Sequence, residues 1–273
     1  MIRKSSVARC GAEDAELRLW VRKGRLFDVQ RWIAAGKPLY RPSSPRSHAL
    51  TLAVEVGFHS MVEVLARAWP DRESLNAAAS LAAHRRQSDL VWLLMECGAD
   101  MRSIPLGEVA ECHDRDLMRY FLEHWHMLDE PDGLTDVVTT GSHALLGVIR
   151  ECAPNIPNHQ FQLARALTYF VGENRLKWVS LALWLGADPR LLVPEPYSTH
   201  EIEPDEWMSP MEFAVEKGDL AALKLMKPSF GTDDLDNLLA RARLWHDDSA
   251  VSGNTWCGAG LVSIICRTVV PLS

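Results

Sequence analysis

The densest group of residues able to do chemistry is Cys112, His113, Asp114, His124 and His126. Zinc uses these side-chain types, but it needs ligand pairs spaced so that they converge, such as C-x2-C with a paired H-x3-H, and no such pair is present. Neighbouring residues on a helix point in different directions, so Cys112 diverges from His113, and His124 from His126 across Trp125. His246, Asp247 and Asp248 have the types of acid–base residues, yet three consecutive polar groups after an apolar helix read as a solvated terminus. There is no G-x-S-x-G elbow, no G-x-x-x-x-G-K phosphate loop and no paired-glycine dinucleotide fingerprint. The expectation is a chain with no catalytic residue, no cofactor and no metal.

What remains is chemistry of recognition. The stretch PRLLVPEPYSTHEIEPDEWMSP, residues 189–210, carries five prolines, five carboxylates (Glu195, Glu201, Glu203, Asp205, Glu206) and two large aromatics, Tyr197 and Trp207. A loop this long without periodicity is usually functional or disordered. As a functional element it presents acid and aromatic groups to a basic partner. The chain as a whole has 273 residues and a net charge of −7, which argues against nucleic acid as the main partner. The charge is uneven: residues 1–50 hold 11 Lys and Arg against 4 Asp and Glu, and the remainder holds 18 against 32. Six cysteines without framework spacing imply reduced thiols. The first twenty residues contain no signal-peptide core, and no apolar run reaches the roughly 20 residues of a membrane span, so the expected location is cytoplasmic.

These groups have to be positioned by helices, and the helices repeat. LWVRKGRLFDVQRWIAAG (19–36), LAVEVGFHSMVEVLARAW (52–69), LAAHRRQSDLVWLLMECGAD (81–100) and FAVEKGDLAALKLMKPSF (213–230) each contain a short apolar helix, a break and a second apolar helix. Weaker units occupy 109–125, 137–153 and 170–188. The breaks fall at Gly24, Gly57, Arg86, His113, Gly141, Asn174 and Gly218, separated by 33, 29, 27, 28, 33 and 44 residues. A glycine there costs a helix about 1 kcal/mol relative to alanine but frees the backbone where one helix stops and reverses into the next.

On these residues the sequence resembles the ankyrin-repeat family, whose unit is a turn plus two antiparallel helices opening on T-P-L-H-x-A. Ser209, Pro210, Met211, Glu212, Phe213 and Ala214 stand at such a start. The family's Gly-Ala-Asp ending appears at Gly98–Asp100 and Gly186–Asp188. The resemblance covers roughly residues 13–248. It implies an all-α, ankyrin-like solenoid of about seven helix-turn-helix repeats joined by short turns or hairpins, with an arm at 1–12, an insertion at 189–208 and an apolar tail at 249–273. Neighbouring repeats in such a stack supply each other's core. That core is expected at Leu19, Val29, Ile33, Leu52, Val62, Leu65, Leu90, Leu94, Leu117, Phe121, Leu146, Ile149, Val179, Leu183, Phe213 and Leu223, and Trp32, Trp92, Trp178 and Trp184 are expected to pack with it. Helix 233–248 would close the last repeat.

The resemblance further implies binding of another protein on the concave surface of turn tips and first helices. The exposed places are expected at Arg22, Lys23, Arg25, Glu55, Phe58, His84, Arg85, Glu111, Asp114, Thr140, Ser142, Glu216, Lys217 and Asp219. Tyr197, Glu201, Glu203, Asp205, Glu206 and Trp207 of the insertion complete the set. Phe58 and Trp207 are either interface anchors or packed on the adjoining turn. Three roles are compatible with this: an inhibitor or immunity-type protein or adaptor with a basic protein partner, an effector delivered into another cell, and a subunit of a larger assembly in which the tail docks.

Overall fold

In a computed structural model, the structure describes residues 11–39, 48–69, 71–124, 133–194 and 207–226. The fold there is all-α, and its helices come in pairs around the seven expected breaks. The pairs are α1 (Gly11–Arg22) and α2 (Leu26–Ala34), α3 (Ala49–Val56) and α4 (His59–Ala68), α5 (Arg72–His84) and α6 (Ser88–Glu96), and α7 (Leu106–Glu111) and α8 (Arg115–Glu123). They continue as α9 (Gly133–Thr139) and α10 (Leu146–Cys152), α11 (His159–Gly172) and α12 (Leu176–Leu185), and α13 (Pro210–Glu216) and α14 (Leu220–Leu225). No strand occurs among the described residues, where β pairing is limited to one isolated antiparallel bridge between Val193 and Met208. Among the described residues, single 3-10 turns at Met101–Ser103 and Ala153–Asn155 lie in two of the connections between pairs.

Every break residue lies at positive φ: 65° at Gly24, 77° at Gly57, 59° at Arg86, 54° at His113, 76° at Gly141, 53° at Asn174 and 69° at Gly218. The break residue is therefore left-handed throughout, and Arg86, His113 and Asn174 adopt that conformation without being glycine. In five of the turns the residue after the break donates its N–H to the carbonyl five positions back, as Phe58 does to Ala53 (3.2 Å) and Asp219 to Ala214 (2.8 Å). That bond satisfies a carbonyl which the helix end would otherwise leave orphaned. A left-handed residue with a Cβ costs about 1–2 kcal/mol, partly offset by the larger unfolded-state entropy of glycine. We expect Arg86→Gly to raise stability by about 0.5 kcal/mol and Asn174→Gly to leave it nearly unchanged, since asparagine tolerates this region. Urea midpoints check both, and a clear loss of stability in Arg86→Gly would show that its side chain contributes more than the strain it stores.

Two compact units make up the chain. The first comprises residues 1–133 and 142–148. In it α1, α3, α5 and α7 pack in sequence on one another, and α2, α4 and α6 do likewise, so neighbouring helix pairs share apolar faces. Leu17, Val21, Val29, Leu50, Val62, Leu65, Leu94, Val109, Leu117 and Phe121 are buried there. The second comprises residues 134–141 and 149–273, with α11 packed on α12 and α13, and α14 on α12 and α13. Its interior includes Leu163, Leu167, Phe170, Val179, Phe213 and Leu223.

Three expected core positions are corrected. Leu19 is 46% exposed, because Leu17 and Val21, four residues apart, take the inward face of α1 and leave Leu19 pointing away. Ile33 and Leu183 are half-buried, since Val29 with Trp32, and Val179 with Ala182, hold the inward register. Among the tryptophans, Trp32 and Trp178 are buried and Trp92 is half-buried against Tyr120, with ring centroids 5.0 Å apart. Trp184 is not core: it is 45% exposed, with the Arg150 guanidinium 4.3 Å from its ring centroid.

Local chemistry explains two helix starts. Ser209 Oγ accepts from Glu212 N at 3.2 Å while Glu212 Oε2 accepts from Ser209 N at 2.8 Å, a reciprocal capping box in which glutamate takes the place of the family's histidine. Asp71 caps α5 by accepting from the N–H of Ser74 at 3.0 Å, and the Ser74 hydroxyl also donates to it. The Ser74 hydroxyl, opposed by partial burial and aided by backbone N–H groups and nearby His48, holds the Asp71 carboxyl below its ordinary range. The expected closing helix 233–248 and the tail 249–273 lie outside the described residues.

Candidate functional site

Because each repeat reverses at its break, the residues around the seven breaks share one edge of their unit, and the connections between repeats leave from the opposite helix ends. Arg22, Lys23 and Arg25 surround Gly24 and are exposed, as are Glu55, His84, Arg85, Thr140 and Lys217. Phe58 is 39% exposed and packs across the Gly24 turn, where a methyl on that glycine would sit 3.2 Å from the ring. The same arrangement recurs one repeat on, with Gln87 Nε2 over Gly57, and again where Ser142 meets His113 Nδ1 at 2.8 Å. Each of these contacts ties the first residue after one break to the break before it.

Several expected contact residues are committed to the scaffold. The Asp114 carboxylate caps α8 by accepting from Asp116 N at 2.9 Å and Leu117 N at 3.0 Å, and Asp219 caps α14 by accepting from Ala222 N at 2.9 Å. Ser142 is 6% exposed. His84 Nδ1 lies 3.5 Å from Glu108, and Glu111 accepts from Arg86 at 3.3 Å, both across neighbouring repeats. The Lys217 ammonium sits 4.9 Å from the Phe213 ring centroid, and Glu216 is half-buried. Trp207 is half-buried beside Phe161 of α11, with centroids 5.5 Å apart. Tyr197, Glu201, Glu203, Asp205 and Glu206 lie outside the described residues.

The insertion has a neck that sequence reading missed. Val193 and Met208 exchange backbone hydrogen bonds of 3.0 Å in both directions, and Met211 N donates to Pro189 O at 3.1 Å. The residues that flank the acidic segment are therefore paired with each other. Nothing local in the sequence marks this pairing, because its partners stand on either side of the acidic segment.

The residues with catalytic types are placed otherwise. The Cys112 thiol donates to the carbonyls of Ala83 and Glu108 and is pushed up to about 11 by burial and by the carboxylates of Asp114, Glu108 and Glu111, so it stays protonated at neutral pH. Burial likewise raises Cys97. His124 Nδ1 lies 2.8 Å from Tyr120 O at the end of α8, and among the described residues no three His, Cys, Asp or Glu side chains form a group that could hold a metal. A further cluster has two buried members: His48 Nδ1 is 3.0 Å from Ser74 Oγ, whose hydroxyl bonds to half-buried Asp71. Its polarity is wrong for a nucleophile, since the Ser74 proton goes to Asp71 and Ser74 is only 1% exposed.

No helix of the described residues is long and apolar enough to cross a membrane. No family model and no curated protein matches the sequence. Among solved structures the chain is similar to the ankyrin repeat domain of Bcl-3, described as a unique member of the IκB protein family, at 18% identity and a TM-score of 0.54. The likeness covers 78% of this chain and 97% of that one. Together with seven left-handed turns between paired helices and the capping box at Ser209, it establishes that this chain has the fold of degenerate ankyrin repeats.

Proposed function

We propose that this protein is a non-catalytic binding protein that engages another protein through the turn edge and first helices of its repeats, residues 13–248, and through the acidic insertion. Repeat folds of this kind present extended surfaces suited to binding. The observation that carries the insertion's part is its neck: the Val193–Met208 bridge and the Pro189–Met211 bond are made by residues flanking 195–206. All five carboxylates of the stretch fall within 195–206, between the paired flanks and not in them. A cytoplasmic inhibitor or immunity-type protein, or an adaptor, that recognises a basic target fits this arrangement. The basic character of residues 1–50 favours the alternative role of an effector delivered into another cell, where it recruits or blocks a host protein.

The test is affinity capture of the tagged full-length protein from its own cells at low and moderate salt. The comparison is a variant with Glu201, Glu203, Asp205 and Glu206 changed to lysine. The expected result is one dominant basic partner whose binding weakens at least about tenfold in the variant and falls with salt, while the melting temperature is unchanged. Full-strength binding by the variant overturns the role of the insertion.

A further inference from the structure

Relative to the left-handed residue of each repeat, the first two repeats carry large apolar side chains where the others do not. Three residues after the break the chain carries Phe27, Ser60, Asp89, Asp116, Ala144, Lys177 and Ala221, and every one is exposed. Only the first is a large apolar side chain, and it is 77% exposed. One residue after the break stand Arg25, Phe58, Gln87, Asp114, Ser142, Arg175 and Asp219, among which Phe58 alone is apolar. Just before the break, Val56 (41% exposed) is the one aliphatic among Lys23, Arg85, Cys112, Thr140, Glu173 and Lys217. With Leu19 these are the exposed large apolar side chains described in the first unit, and all lie between residues 19 and 58.

The same stretch holds the most basic turn. Arg22, Lys23 and Arg25 surround Gly24, and the ring of Phe58 rests on that glycine, so apolar and cationic groups meet on one edge. Leu19 shares a helix face with Arg22 and Lys23, three and four residues on. Arg25 is paired with Asp28, whereas Arg22 and Lys23 make no ion pair among the described residues. Glu55 is the opposing charge on the neighbouring turn.

We propose that this edge of the first two repeats is a docking site for an acidic protein segment that carries apolar anchors. Charge complementarity selects the sign of the partner. A Phe58 ring already immobilised on the Gly24 turn loses little freedom on binding, which favours it as an anchor point. Three cations, one of them paired, fall short of the clusters of 4–8 that hold anionic membranes. They also fall short of the phosphate contacts that nucleic acid requires, in a chain of net charge −7. The site lies in the first unit, apart in sequence from the insertion; it rests on the turn-edge part of the proposed function and is independent of the insertion's part.

The experiment pans a random peptide display library on the full-length protein and measures the selected peptides by fluorescence anisotropy. Anionic vesicles and single-stranded RNA serve as parallel probes. The expected peptides are rich in Asp and Glu around an aromatic or aliphatic residue. Phe27→Ser and Lys23→Glu should each weaken them about tenfold without changing the melting temperature, and the insertion variant with four lysines should bind them undiminished. Because Phe58→Ser also uncovers a turn, it is read only alongside the Phe27 and Lys23 variants. Failure to select any peptide, selection of basic or neutral peptides, binding indifferent to both substitutions, or binding of vesicles or RNA alone overturns the proposal. Loss of the peptides only in the insertion variant would overturn it too, while leaving the insertion's own role standing.

Discussion

Gly141→Ala is expected to destabilise the second unit by about 3 kcal/mol, measured as a shift in the urea transition followed by circular dichroism. Two separate costs add. At φ 76° an alanine Cβ sits in the left-handed region, costing about 1–2 kcal/mol. The new methyl would also lie 2.9 Å from Trp178 Cζ2 and 3.3 Å from two more atoms of the same indole, so the ring must move. It has little room to do so, being 9% exposed and stacked on Phe170 at 5.5 Å. Displacing a packed ring adds about 1–3 kcal/mol. Gly36→Ala separates the two costs, because Gly36 has φ 65° with nothing within 4 Å of its would-be Cβ, and should lose only about 1 kcal/mol. In a Trp178→Leu background the Gly141→Ala cost should shrink towards that smaller value, a coupling of about 1–2 kcal/mol. Equal losses at Gly36 and Gly141 would mean that the indole contact is inconsequential.

How much of this was legible in the sequence depends on how local each feature is. All seven breaks were readable, because a left-handed residue between two short apolar helices leaves a glycine, or a gap in apolar periodicity, at a recurring position. That Arg86 and His113 share the glycine geometry followed only from the spacing of their neighbours, since their own types argue against it. The core was readable except where a helix carries apolar residues on more than one face. Leu19 competes with Leu17 and Val21, and there the period alone does not choose the register. Phe27 is illegible as an exposed residue, because a phenylalanine on an apolar helix has the type of a core residue and only its counterparts in the other repeats, all polar or small, mark the position as outward. Among the expected contact residues, Asp114 and Asp219 also have the types that cap helices, and the structure shows that role. The neck of the insertion was illegible, since pairing across an aperiodic segment depends on where α11 and α13 place its two ends.

Phe170→Ala is expected to cost about 3–5 kcal/mol and, through it, to test how the insertion is supported. The Phe170 side chain is fully buried in α11, stacked on Trp178 and edge-on to Tyr169 at 5.5 Å, so truncation leaves a cavity walled by rings that cannot collapse into it. The same helix positions its surroundings at its other end. Gln162 Oε1 accepts from Leu134 N at 2.8 Å, Gln162 O accepts from the Thr135 hydroxyl at 2.9 Å, and Phe161 packs on Trp207 beside the neck. Loosening α11 therefore loosens the packing at Trp207, next to the paired flanks of 195–206, although no residue of the insertion is substituted. If the insertion binds a partner, Phe170→Ala should weaken that binding at temperatures near its lowered melting point and recover it on cooling, whereas the four-lysine variant should be weakened at every temperature. The milder Phe170→Leu, at about 1 kcal/mol, should bind normally throughout. Weak binding by Phe170→Leu at low temperature, with its fold intact, would place the ring in the recognition surface itself and contradict its burial.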